Sequence, residues 1–346
     1  MLYRKAWDRL VVWKANGASS HALMLTGARQ IGKTTLVREF AGRYYGHFAE
    51  LNFLTDPNAS TIFDGPLDAK TIIANLTAYL RTPLEPGDTL VLLDEIQECP
   101  RARTAIKFLV EDGRFDYVET GSLLGVRVRD VPSYPVGFEE QYRMFPMDFE
   151  EFCLANGVQR STIDLLRTHF RSRTPVSVAV HETMMRLFRA YIVVGGMPEV
   201  VQRYVDTHDI AQTSQLQRDL LDLYRLDIAK YAQRSDRTKI RAIFDAIPSQ
   251  LDDRNRRFVL ADLSKNARQN RYASSFLWLA DAGAALPCYN VSSPTAPLAA
   301  NEKHSLFKLF MNDVGLLCAA SMGNIQFALL QGELDVNLGS IAENVV

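Results

Sequence analysis

A chain of 346 residues is long for one domain and natural for two or three, and 47% apolar with 23% charged residues is enough to bury sizeable cores. A net charge of -1 excludes a global attraction to nucleic acid or to an anionic membrane, so any such contact must come from a local patch. No apolar run approaches the ~18 residues of a membrane span, the stretch from Met1 to Leu10 is charged and carries Trp7, unlike a signal peptide, and four scattered cysteines without metal-ligand spacing suit a reduced, cytoplasmic protein.

Tyr3 to Ala15 has the spacing of an amphipathic helix, with Trp7, Leu10 and Val11 on one side. The apolar run Ala22-Leu23-Met24-Leu25 then feeds directly into Gly27 to Thr34, G-A-R-Q-I-G-K-T, a complete phosphate loop. Gly27 and Gly32 let the backbone curl so that N–H groups face a polyphosphate, Lys33 reaches the β/γ oxygens, and Thr34 offers its hydroxyl to Mg²⁺. The helix expected over 33 to 44 adds its positive end and carries Leu36, Val37, Phe40 and Ala41 as a stripe that can pack on a sheet.

Strand-like runs at 22 to 26, 48 to 53, 88 to 93, 115 to 119 and 141 to 145 alternate with helical ones near 33 to 44, 68 to 81 and 101 to 111. That alternation predicts an α/β fold, a parallel sheet with helices on both faces. The run Thr89 to Leu93 ends in Asp94 and Glu95, acids delivered at the carboxyl edge where such sheets bind ligands. Asp94 is suited to hold Mg²⁺ directly or through water, and Glu95 to orient and deprotonate the water that attacks a γ-phosphate. An acidic turn after a core strand is the plainer alternative, weakened by the loop upstream. Ser122, after the next strand, is placed to touch the γ-phosphate or that water, or forms an ordinary Gly-Ser turn.

From Asp148 to about Tyr231 the pattern is helical, interrupted at Thr174-Pro175 and at Gly195-Gly196-Met197-Pro198. Residues 236 to 312 form a small unit of three helices (Lys239 to Leu251, Phe258 to Leu263, Gln269 to Ala282) and two apolar segments (Leu286 to Val291, Leu306 to Met311), the order of a winged helix. In its third helix Tyr272, Phe276, Leu279 and Ala280 fall at core spacing, which leaves Arg268, Gln269, Arg271, Ser274 and Ser275 outward. With Arg254, Arg256, Arg257 and Lys265, residues 254 to 275 are the basic stretch of the chain. A DNA-reading face, a solvated face and a protein contact or self-association all stay open there.

The phosphate loop with L-D-E-I-Q-E-C-P, T-G-S-L-L-G, P-M-D-F-E-E-F, G-G-M-P-E, D-I-A-K-Y and F-K-L-F-M-N-D-V-G-L-L resembles the AAA+ superfamily predicted ATPases of bacteria and archaea. The resemblance spans nearly the whole chain. It implies a P-loop AAA+ core over 1–150 and a helical lid over 151–235, with the winged-helix-like domain over 236–312. The nucleotide is then ATP or ADP, and its binding loop is Gly27, Ala28, Arg29, Gln30, Ile31, Gly32, Lys33, Thr34 and Thr35. Thr34 and Asp94 serve Mg²⁺, Glu95 and Lys33 serve catalysis, and Ser122 is the sensor position. Gly195 to Pro198 is similar to the Gly-x-Pro lid element of signal-transducing P-loop ATPases, and equally a helix breaker. Family members usually continue past a segment like Gly339 to Val346 into a nuclease-like region, so 313–346 is expected to be the start of a truncated region, loosely held beyond about Met322. Two functions follow. One is an ATPase that moves lid and winged helix; the other is a slow-turnover nucleotide switch or ATP-gated DNA-binding regulator. Arg101, Arg103, Arg127 and Arg129 are the candidates for an arginine finger.

Overall fold

The computed structural model describes residues 2–18, 20–121, 135–252, 257–263, 269–322 and 339–345. They fall into two compact units, Arg4–Phe145 and the remainder from Pro146 onward with Tyr3.

The first unit contains α1 (Lys5–Asn16), β1 (Ala22–Thr26), α2 (Lys33–Tyr44), β2 (His47–Asn52), α3 (Ala69–Leu80), β3 (Thr89–Asp94), α4 (Pro100–Asp112), β4 (Asp116–Gly121) and β5 (Glu139–Arg143). The strands make one all-parallel sheet in the order β2-β3-β4-β1-β5. Every residue of the central strands β1 and β3 is buried, as continuous apolar runs covered on both faces require. The edge strand β2 instead alternates. On one face Met24, Leu51, Val91, Leu93 and Tyr117 meet Ile72 and Leu76 of α3 and Ala105, Ile106 and Leu109 of α4. On the other face α2 packs against β2, β3 and β4 and buries Leu36, Val37, Phe40 and Ala41, the stripe visible in the sequence. The sheet thus brings the carboxyl ends of β1, β2, β3 and β4 to one edge, beside the loop that leads into α2.

In the second unit α5 (Phe149–Ala155) starts with a capping box between Asp148 and Glu151. It is followed by α6 (Arg160–Ser172), α7 (Val178–Val194), α8 (Pro198–Thr207) and α9 (Ile210–Tyr231). The Gly195-Gly196 turn ends α7 with Gly195 at φ 74, and Pro198 occupies the first turn of α8. The three helices α10 (Arg237–Asp252), α11 (Leu260–Leu263) and α12 (Gln269–Asp281) and the antiparallel pair β6 (Ala285–Val291) and β7 (Glu302–Met311) follow in the order expected of the small unit. Phe258, Phe276 and Phe307 form its aromatic centre, with the Phe276 and Phe307 rings 4.9 Å apart.

Two expectations change. Ser275, expected outward on α12, is fully buried, while Leu277 on the same helix is 60% exposed. The terminal helix, residues 339–345, is docked: Asn344 accepts from the Met311 N–H at 2.9 Å, donates to the Met311 carbonyl at 3.1 Å, and Ile341 is buried. That corrects the expectation of a loosely held end for these residues. Arg268 lies outside the described residues, as do Arg254, Arg256 and Lys265. No helix among the described residues is long and apolar enough to cross a membrane.

Candidate functional site

β1 delivers the chain to Gly27 at φ 146, and a Cβ there would sit 2.3 Å from the Met144 carbonyl oxygen. Glycine is therefore required both by conformation and by the close approach of the next strand. Gln30 (φ 63) and Gly32 (φ 85) also take left-handed backbone angles, so the loop curls before α2 starts. Such alternation turns successive N–H groups toward one side and makes an anion-binding concavity. The Lys33 ammonium donates to the carbonyls of Gly27 at 3.0 Å and Ala28 at 2.8 Å. Burial lowers its pKa to about 8, against the opposing pull of the Glu95 and Asp94 charges.

Asp94 ends β3 almost fully buried. Its Oδ1 accepts from the Thr34 hydroxyl at 3.0 Å and from the Thr120 hydroxyl, and its Oδ2 accepts from the Asn52 amide at 2.7 Å. Asn52 ends β2, and its own carbonyl oxygen accepts from the N–H groups of Leu54 and Thr55, which fixes the amide's orientation. Three strand ends and the first turn of α2 thus converge on one carboxylate. Glu95 follows in a left-handed conformation (φ 54, ψ 47) that is uncommon for a residue with a Cβ. Its carboxylate accepts from the Gln97 side chain.

The structure sets Thr34 against Asp94 and places Lys33 where the Glu95 and Asp94 charges act on it. Ser122 lies outside the described residues, as do Arg127 and Arg129. Thr120, two residues earlier, makes the contact to Asp94, and neither it nor Asn52 stands out in the sequence. Of the arginines near the acidic pair, Arg103 is 2% exposed and bound to Glu139 at 3.1 Å, so it cannot enter a neighbouring molecule's site. Arg101 donates to the carbonyls of Phe63 at 2.8 Å and Gly65 at 2.6 Å within its own unit.

Fold and phosphate loop together define an α/β P-loop protein whose first unit is similar to a AAA-type domain. Residues 19–153 match the model of the AAA domain, and residues 185–326 match that of a domain of unknown function (DUF8612). The second match runs across positions 235 and 236. No curated protein matches the sequence. Among solved structures, the Walker-type ATPase of Pyrococcus abyssi is similar with a TM-score of 0.53 at 13% identity, covering 92% of this chain and 96% of that one. The Orc1 protein of Aeropyrum pernix, solved with DNA, has a TM-score of 0.37 at 14% identity over 95% of this chain and 94% of its own. Thermotoga maritima RuvB gives 0.37 at 15% identity, over 82% and 87%.

Proposed function

We propose that this protein is a Mg²⁺-dependent ATPase whose turnover moves a helical lid (151–235) and a winged-helix-like module (236–312). The observation that carries the reading is the convergence of Thr34, Asn52 and Thr120 on the Asp94 carboxylate beside a complete phosphate loop. The Thr34 and Asp94 oxygens lie 3.0 Å apart, close to the ~2.9 Å between adjacent ligands of an octahedron with 2.0–2.1 Å bonds. The pair therefore fits Mg²⁺. When bound, held by Thr34 and Asp94, the ion would neutralise charge on the β and γ oxygens of the nucleotide. Lys33 supplies the side-chain cation at those oxygens, and the curled backbone from Gly27 to Thr35 supplies N–H donors. Glu95 orients the attacking water and takes its proton, while Thr120 and Asn52 hold Asp94 in place.

A second reading rests on Gln97. Its amide occupies the Glu95 carboxylate that the water would need, which favours a nucleotide-gated switch with slow turnover. In either case a protein partner or self-association is the reading for 254–275 over DNA, since a net charge of -1 supplies no general attraction to nucleic acid. The test is steady-state hydrolysis of Mg-ATP by the purified chain, with and without duplex DNA, beside single-turnover measurement on the same preparation. Turnover abolished by Lys33→Ala supports the ATPase. Tight ATP binding with hydrolysis no faster than the Glu95→Gln variant supports the switch, and duplex binding tighter than the non-specific micromolar range supports a DNA-binding regulator.

A further inference from the structure

Arg4 precedes α1 and is 6% exposed. Its guanidinium forks. Nη1 donates to the Ile31 carbonyl at 2.7 Å and Nη2 to the Phe145 carbonyl at 2.5 Å. Ile31 stands inside the phosphate loop, immediately before Gly32.

A trans peptide points its C=O and N–H in opposite directions. With the Ile31 carbonyl turned toward Arg4, the N–H of Gly32 in the same peptide plane is turned away from it, toward the side on which such loops receive phosphate. Gly32 has a left-handed φ of 85, a residue free enough to rotate unless the preceding peptide is held. The loop's other end is held too. The Met144 carbonyl presses on Gly27, and the Met144 N–H donates to the Thr26 carbonyl at 2.8 Å. Arg4 ties this neighbouring strand exit to the loop through Phe145. A buried cation on a carbonyl also polarises the peptide and makes its N–H a stronger donor. Lysine lacks the planar fork that spans two carbonyls at once.

From this geometry we infer that Arg4 is a positioning residue for nucleoside polyphosphate: it locks the Ile31–Gly32 peptide so that the Gly32 N–H faces the phosphates. The inference rests on the nucleotide-binding reading above. It is tested by calorimetric titration of Mg-ATP into the parental chain, Arg4→Lys and Arg4→Ala, reading affinity and stoichiometry separately. A released donor should weaken Kd by about tenfold or more while each folded molecule still binds one nucleotide. A merely structural role would lower the competent fraction and leave Kd unchanged. A parental Kd in folded Arg4→Ala overturns the inference. If that variant does not fold, Arg4→Lys decides by the same criterion, a weakened Kd supporting the lock and a parental Kd overturning it. Failure of the parental chain to bind Mg-ATP would instead remove the nucleotide reading, and the inference with it.

Discussion

The Gly196 N–H donates to the buried carboxylate of Asp313 at 2.6 Å, across 117 residues of sequence. The Leu316 N–H binds the other oxygen at 2.9 Å. Burial raises the Asp313 pKa to about 6, and the backbone donors of Gly196, Leu316 and Gly315 oppose the rise. A Cβ on Gly195 would lie 2.2 Å from the same carboxylate, and one on Gly196 would lie 1.9 Å from the Met147 carbonyl. Gln217 holds the Val193 and Val194 carbonyls just upstream. The Gly-Gly turn is thus a clasp between the end of α7 and the start of the helix Val314–Met322.

Removing the clasp should destabilise the second unit. Asp313→Ala leaves buried N–H groups without acceptors, each costing ~1–3 kcal/mol, so a loss of about 2–4 kcal/mol is expected in urea unfolding. Gly195→Ala should also cost stability, through the positive φ and the contact with Asp313. Unchanged unfolding midpoints in both variants would show that the clasp contributes nothing.

Lys33 carries a pH signature. Its free-state pKa of about 8 means that above this value the side chain is mostly neutral. Bound polyphosphate favours the ammonium and raises its pKa, so binding takes up a proton in the window above about pH 8. Affinity should then fall by up to about tenfold per pH unit there and level off below about pH 7. Calorimetry in two buffers of different ionisation enthalpy measures the uptake directly. Binding at pH 8.5 with no proton uptake would contradict a buried Lys33 that meets the phosphates, and Lys33→Ala should lose both the uptake and most of the affinity.

The loop and the core strands are legible in the sequence because they depend on local spacing. Gly27, Gly32 and Lys33 must stand at fixed offsets, and β1 and β3 must be apolar throughout because helices cover both faces. The supports of the site are not local. Asn52 and Asp94 meet across 42 residues, Thr120 and Asp94 across 26, and Arg4 and Phe145 across 141. A polar residue at a strand end looks like any turn until sheet order places it. Arg103 looks like a surface residue on α4 until Glu139 arrives beside it from β5. Ser275 looks outward on a helical wheel, yet its face of α12 is also enclosed.

The roles proposed for Asp94 and Glu95 predict different losses on substitution. Glu95→Gln should keep Mg-ATP affinity and lose turnover, since it keeps shape and removes the base. Asp94→Asn should weaken Mg²⁺-dependent binding. Asn52→Ala removes one donor from Asp94 and should raise the Mg²⁺ concentration at half-maximal rate several-fold, with a smaller effect on nucleotide affinity in the absence of the metal. Parental single-turnover hydrolysis by Glu95→Gln would remove the base from Glu95.

Glu119 makes the last test, on stability. It lies fully buried in β4, in register with Met24 of β1, and Glu139 pairs two residues away with Ala22. Burial raises its pKa well above the usual carboxylate range, the Glu139 charge adds to the rise, and Arg103 opposes it. Gln141 donates to the Glu139 carboxylate at 2.7 Å. The folded chain therefore keeps a proton on Glu119 that the unfolded chain releases near its ordinary value of 4.5. Stability from this group is greatest below that value and declines as pH rises, by up to ~1.4 kcal/mol per unit until the folded group titrates. Glu119→Gln keeps the shape without the titration. Its stability should depend less on pH than that of the parental chain, with a clear gain at pH 8 and little at pH 5. Comparing the two chains separates this effect from Asp313, whose raised carboxyl tilts stability the same way. Equal slopes of unfolding free energy between pH 5 and 8 would mean that Glu119 is ionised in the folded protein, stabilised there by Arg103.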